Sequence, residues 1–469
     1  MHQIYKEAEP TASFNGRIFY KTVATIGIPV IFQQLLSSCL NMIDTIMVGK
    51  LGEISVAAVA VANKFVYVYN LVIFGLCTGL SIFVAQYYGA KDYKKIGKLS
   101  GFMYICAFVF GLIFTIVFAA FAPNLIKLFI NDNAQVVNLV VSEGSAYLRI
   151  ICFSIIIMGF NFAMSSLCRG VMLTKLPLYA TFLSVLTNTF LNYVLIFGKF
   201  GFPMLGVKGA AIATVIARVT EFMMLVMIIY SKRSINPIKT DLSNMFTFPK
   251  DFVIRLIKTA SPVVANETLW SLAQTTYVAI VGILGASAVA VIQISTTVNN
   301  IFYALIQGVS VACSVMVGSS IGAGNFDLAK KYAWRFLAIA LCISGICGGI
   351  LLLFKDVIIS LFTLENATYP LMYKTLNVTA CVMSLGMLNN IFIVGLFRSG
   401  GDTKFCMYAE SLTLWVVSIP LLYVCVRFLD IPVYWAAALM QTDNFIKVFL
   451  CFDRFVKNKW INRVIETND

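Results

Sequence analysis

Residues 29-PVIFQQLLSSCLNMIDTIMVGKLGEISVAAVAV-61 decide the fold, because the chain carries a second version of them. Laid without a gap on 262-PVVANETLWSLAQTTYVAIVGILGASAVAVIQI-294, Pro29, Gly49, Leu51, Gly52 and Ala57 meet Pro262, Gly282, Leu284, Gly285 and Ala290. At the same offset Gly75 meets Gly308, and 89-GAKDYKKIGK-98 meets 322-GAGNFDLAKK-331. Further along, 169-RGVMLTKLPLYA-180 resembles 398-RSGGDTKFCMYA-409. Blocks recurring in one order mark an internal duplication.

The duplicated segments lie in a chain of 469 residues that is 60% hydrophobic and only 12% charged. Soluble globular chains carry roughly a quarter charged residues. Apolar runs recur at about 22–49, 55–87, 97–122, 138–165, 177–197, 209–231, 252–282, 287–318, 331–354, 370–397, 405–427 and 432–453. Each can cross a hydrocarbon core of roughly 30 Å. The fold class expected is therefore an all-α polytopic membrane protein with twelve transmembrane helices in two six-helix lobes. Six is even, so both halves start on the same side and cross in the same sense, a parallel repeat about a pseudo-twofold axis. The expected division is an N-lobe at 1–235, a linker at 236–251 and a C-lobe at 252–469. The polar start, MHQIYKEAEPTASFNGRIFYK, lacks the features of a signal peptide and reads as an interfacial helix.

The net charge of +14 is arranged by topology. With the N-terminus inside, the cytoplasmic segments hold Lys91, Lys94, Lys95, Lys98, Arg169, Lys175, Lys232, Arg233, Lys239, Lys250, Arg255, Lys258, Lys330, Lys331, Arg335, Arg398, Lys404, Arg454, Lys457, Lys459 and Arg463. The other face has Lys50, Lys127, Lys199, Lys208, Lys355 and Arg427, mostly one per loop. This pattern places both termini in the cytoplasm of a plasma membrane, the inner membrane of a bacterium, and gives no reason to expect a nucleic-acid partner. Twelve cysteines without a CxxC pair read as apolar filler, and the single histidine, His2, leaves no His-based metal or acid–base site. No clustered acids sit at one membrane face as an integral-membrane transferase would need, so no enzyme is expected.

Polar side chains at lipid depth must face protein or water. On span 1, Gln34, Ser37, Asn41 and Asp44 share one helix face, as do Thr181, Ser184, Asn188 and Asn192 on span 5. Span 7 carries Glu267, Ser271 and Gln274; span 8 carries Gln293, Thr296, Asn300, Tyr303 and Gln307. Single residues of this kind often only bond neighbouring helices. Four stripes over both halves favour a wet cavity, with Gln34, Asn41, Gln274, Gln293 and Asn300 as its candidate substrate contacts.

The acids say more. A charged Asp at a helix centre costs about 2.5–3.5 kcal/mol on insertion scales. It offsets that cost by taking a proton, a cation or a basic partner. Asp44 has only Lys50 nearby in sequence, six residues on. Arg218 with Glu221, and Asp443 with Lys447, are spaced to neutralise themselves on one helix. Lys64 and Glu410 are expected near span ends, their long side chains reaching water. At the repeat offset Asp44 meets Tyr277 and Glu267 meets Gln34, so the halves have diverged in chemistry.

These residues resemble the multidrug and toxic compound extrusion (MATE) family. The resemblance rests on IDTIMVG, on GLCTGLSIFVAQYYGAKDYKK, on 188-NTFLNYVLIFG-198 and on 209-GAAIATVIAR-218, and it covers essentially the whole chain. It implies an antiporter that exports cationic or amphiphilic compounds in exchange for Na⁺ or H⁺, with no other cofactor and acting as a monomer. By the same resemblance Asp44, Asn188, Asn192 and Thr214 match the cation site of the N-lobe, a possible Na⁺ site, and Glu267 matches a C-lobe acid. Span 10, 377-NVTACVMSLGMLNNIFIVGLF-397, lacks the acid that some Na⁺-dependent members carry there. The alternative is a lipid-linked oligosaccharide flippase of the same wider superfamily, for which a more cationic cavity is expected.

Overall fold

A computed structural model describes residues 15–129, 134–231, 245, 247–360, 368–429 and 431–466. Among them every regular element is helical. Twelve spans follow one another: α1 Gly16–Gly49, α2 Glu53–Gly89, α3 Tyr93–Lys127, α4 Ala134–Gly170, α5 Lys175–Phe197 and α6 Val207–Ser231 in the first half. The second half holds α7 Lys250–Val281, α8 Ala286–Gly322, α9 Phe326–Ser360, α10 Tyr369–Phe397, α11 Thr403–Phe428 and α12. The last is broken at Met440 and Gln441 into Val433–Leu439 and Thr442–Val456. The interfacial helix expected over the first residues and most of the 236–251 linker lie outside the described residues.

Ten of these helices are long enough, and contain a stretch apolar enough, to cross a membrane. The other two are α7, with its polar stripe, and the broken α12. All are helical because only a helix satisfies its own backbone in hydrocarbon. Several run past the apolar stretch that announces them: α3 spans Tyr93–Lys127 because Asp92 caps its first turn, accepting from the Lys95 N–H at 3.1 Å. Such a cap supplies an acceptor that the helix itself lacks.

The duplication is written into the backbone. Asn325, the repeat mate of Asp92, caps α9 by accepting from Leu328 N–H at 3.1 Å. Lys91 and Gly324, also mates, both take positive φ, 58° and 78°. Gly52 and Gly285 stand at 107° and 103° in the α1–α2 and α7–α8 turns, where a side chain would be strained. Pro29 and Pro262 lie inside α1 and α7 at matched positions, where each removes one backbone donor. Helix pairing follows the same plan: α3 lies along α4 and α5 along α6, as α9 lies along α10.

The chain forms two compact units, and their borders cut helices. One unit holds Phe32–Val84 and Asp92–Val253; the other holds the chain up to Ile31, Ala85–Lys91 and everything from Ile254 on. The start of α1 thus packs with the second half. Gly27 of α1 sits against the backbone of Gly308 in α8, and Phe19 lies 5.1 Å from Phe336, ring to ring.

α10 and α11 each contain a π-helical turn, Ile391–Phe397 and Thr413–Ser418. Wider turns of this kind interrupt the regular hydrogen-bond ladder and recur at functional positions. Arg398 directly follows the first, and Glu410 comes just before the second.

Candidate functional site

The four residues Thr181, Ser184, Asn188 and Asn192 form the buried face of α5. That face points at α1 and α6 through a chain of hydrogen bonds. Asn192 Nδ2 donates to Asp44 Oδ1 at 2.5 Å and to Asn188 Oδ1 at 2.8 Å. Asn188 Nδ2 donates to Thr214 Oγ1 at 3.3 Å, and Thr214 donates on to the Ala210 carbonyl at 3.0 Å. Residues 148 positions apart in sequence, Asp44 and Asn192, are thereby joined at the heart of one unit.

Asp44 opens onto a cavity of about 330 Å³. Asn41, Asn63, Asn70, Tyr147, Ser184 and Thr214 supply polar lining, interleaved with apolar side chains such as Val59 and Met158. Tyr147 donates to Asn63 Oδ1 at 3.3 Å, which ties α4 to α2 across the wall. Arg218 also reaches the cavity, but its guanidinium is held by Glu221 at 2.9 Å. Glu221 accepts in addition from Thr181 at 3.1 Å, and Thr181 from Gln33 at 3.0 Å. The Arg218–Glu221 pair read from the sequence is therefore present and locked in a network.

Among the described residues Asp44 has no ion-pair partner. The side-chain oxygen of Asn192 is buried and accepts no hydrogen bond. An orphaned buried acceptor is costly unless something donates to it or binds it. The donor set is all oxygen: the Asp44 carboxylate, the Asn188 and Asn192 amides and the Thr214 hydroxyl. Oxygen ligands of this kind suit a proton or a hard cation rather than a soft metal. No cluster of three His, Cys, Asp or Glu suited to a metal occurs among the described residues.

A model of the MatE family matches residues 29–194 and 262–424, once in each copy of the repeat and over more than half of the chain. The chain belongs to the MatE family. It is 25% identical over 460 residues to the probable multidrug resistance protein YoeA of Bacillus subtilis, covering 95% of this chain and 96% of that one. It is also 25% identical to the probable multidrug resistance protein NorM of Thermotoga maritima, over 96% and 95% of the two chains. In three dimensions it superimposes on a crystal structure of MATE in complex with MaL6 with a TM-score of 0.85 at 18% identity, covering 97% and 98%. The family resemblance carried by the motifs is borne out, and so is the all-helical, twelve-span fold class.

The remaining residues singled out from sequence divide between the Asp44 cavity and other places. Asn41 lines its cavity, whereas Gln34 is exposed and does not. Gln293 and Asn300 on α8 are exposed and Gln274 on α7 is half-buried. Glu267 belongs to the other unit, where Arg398 Nη1 holds it at 2.7 Å. Arg398, which the charge pattern sets in a cytoplasmic segment, stands in the turn after α10 with its side chain buried, 4% exposed. Glu410 is likewise not at a wet span end. It accepts from Asn266 Nδ2 at 2.6 Å and lies 3.8 Å from Lys447, which pairs with Asp443 at 2.7 Å. Tyr303 accepts from Asn390 Nδ2 at 2.5 Å in the same unit. The adjacent asparagines 389 and 390 inside an apolar span were the available sequence signal for this centre.

Proposed function

We propose that this MATE protein is a secondary active efflux antiporter that exports cationic or amphiphilic compounds in exchange for Na⁺ or H⁺. One observation carries the reading: a carboxylate without an ion-pair partner among the described residues, Asp44, forms the wall of a cavity of about 330 Å³ beside an unsatisfied amide oxygen. Small-molecule pockets begin at roughly that size. The names of the relatives, probable multidrug resistance proteins, support drug export.

Asp44, Asn188, Asn192 and Thr214 are the coupling site in this reading. A proton or sodium ion entering from outside neutralises Asp44, and a cationic cargo then loses its counter-charge and leaves. Cargo and ion compete for one carboxylate, so binding of one disfavours the other by a reciprocal coupling energy. Exchange follows if the ion and the cargo favour different access states. Asn192 positions the carboxylate through its 2.5 Å bond, and Thr214 with Asn188 extends the set of oxygens. The basic residues clustered on one side support a cytoplasmic location for both termini of an inner-membrane protein.

A flippase would need a positive charge to hold a pyrophosphate. Arg218, the basic side chain of the cavity, is already neutralised by Glu221. The decisive experiment is transport by purified protein in liposomes, with Na⁺ and pH gradients imposed separately. Cargo uptake driven by either gradient supports the antiporter, and the active gradient names the ion. Uptake indifferent to both gradients would refute it.

A further inference from the structure

Two helices cross in backbone contact at one end of the second compact unit, and they do so symmetrically. A Cβ on Gly89 of α2 would strike the backbone of Ser319 in α8; a Cβ on Gly322 of α8 would strike the backbone of Gln86 in α2. At the repeat offset Gly89 is the mate of Gly322, and Gln86 is the mate of Ser319. The crossing is therefore a pseudo-twofold contact, in which each half offers its glycine to the other half's polar residue.

The symmetry ends with the side chains. Ser319 bonds only within its own helix, to the Met316 carbonyl at 3.1 Å. Gln86 is fully buried and reaches outward. Its Nε2 donates to the carbonyls of Ser399 at 3.0 Å and Asn462 at 3.2 Å, and its Oε1 accepts from Val464 N–H at 2.9 Å. Arg463 adds a bond to the Gly322 carbonyl at 2.8 Å, and Asn462 N–H one to the Gly400 carbonyl at 2.8 Å. The tail after α12 thus straps the crossing. Trp460, completely buried and stacked on Phe455 with ring centroids 6.0 Å apart, anchors the strap.

We propose that Gln86 and the tail segment Asn462–Val464 form a latch that holds the α2–α8 crossing closed, and that its release is a step of the transport cycle. The inference rests on the alternating-access reading above. Three features make the contact a latch. All three bonds of Gln86 end on backbone groups of segments without regular structure, residues 399 and 461–464, which can move without unwinding a helix. The border between compact units cuts α2 between Val84 and Ala85, immediately before Gln86. Gln86 and the tail therefore share one compact unit, while the rest of α2 up to Val84 belongs to the other. The strap is also one-sided, so freeing a single side chain unlocks a contact that otherwise repeats.

Hydrogen–deuterium exchange of the full-length protein in lipid nanodiscs tests this, with tetraphenylphosphonium as the cationic probe and with Gln86→Leu and Val464→Pro as variants. Gln86→Leu keeps the side chain's bulk and removes its three bonds; Val464→Pro removes one donor and lies outside every helix, so it serves should the first fail to fold. Exchange at 318–324 and 462–466 should rise about tenfold in either variant without probe, and in the wild type on adding probe. Unchanged exchange in both variants overturns the latch. So does wild-type protection that the probe leaves untouched while liposomes of the same preparation transport it. If wild-type liposomes transport nothing, the antiporter reading fails instead, and exchange in the variants still decides the latch.

Discussion

The two compact units treat buried carboxylates in opposite ways. In the unit built on α2–α6 and on α1 from Phe32 onward, Asp44 accepts from the neutral Asn192 and faces an open cavity, while the Arg218 of that cavity is held by Glu221. In the unit built on α7–α12, Glu267 is held by Arg398 and Asp443 by Lys447, and Glu410 takes an amide and the flank of the same lysine. An acid at lipid depth that carries its own cation is structural: removing one partner leaves a stranded charge. An acid without one must borrow a cation, and a borrowed cation can be exchanged. In the proposed function that difference assigns the coupling acid to one half of a duplicated molecule, although both halves keep the same turns, caps and glycines.

The contrast can be broken most violently from the paired side. Replacing Arg398 by Met should destabilise the folded protein by about 3–5 kcal/mol, because Glu267 then stays buried without compensation. Adding Glu267→Leu to that variant should recover most of the loss, as read by unfolding in mixed micelles. A destabilisation no greater than that of a surface substitution would show the pair to be dispensable.

On the unpaired side the expected sign is reversed. Asp44→Asn should lower gradient-driven transport in liposomes about a hundredfold and leave the thermal midpoint unchanged or raised. A variant that melts early instead would place Asp44 among the structural acids. Asn192→Ala removes the donor that orients Asp44, and a fall in transport of about tenfold is expected, smaller than for the acid itself. Thr214→Val deletes one hydroxyl at the far end of the chain of bonds. It should change transport about two- to fivefold, and chiefly the concentration of coupling ion needed for half-maximal rate. Equal effects from Thr214→Val and Asp44→Asn would mean that the four residues do not form one graded site.

Much of this contrast was readable in the sequence. The twelve spans follow from hydropathy, because lipid leaves the backbone no choice but the helix. Thr181, Ser184, Asn188 and Asn192 fall three or four residues apart, and that period alone puts them on the buried face that the structure shows. Arg218–Glu221 and Asp443–Lys447 were readable for the same reason, being pairs within one helix turn. Glu267 with Arg398 was not: the partners stand 131 residues apart, and nothing local announces that a basic residue at a span's end turns inward. Two π-helical turns shift the register beside Arg398 and Glu410, and helical periodicity cannot foresee them. Gln86 and the tail escaped because side chain–backbone bonds leave no pairing pattern in the residues that accept them.

Counting the ions released when cargo binds tests the account most directly. Purified protein in nanodiscs is titrated with tetraphenylphosphonium, while protons are followed through buffers of different ionisation enthalpy and sodium through a radioactive tracer. The account predicts that the wild type gives up about one monovalent cation per cargo bound, and that Asp44→Asn binds cargo more weakly and gives up none. Cargo binding without any release from the wild type, or the same release from Asp44→Asn, would contradict it.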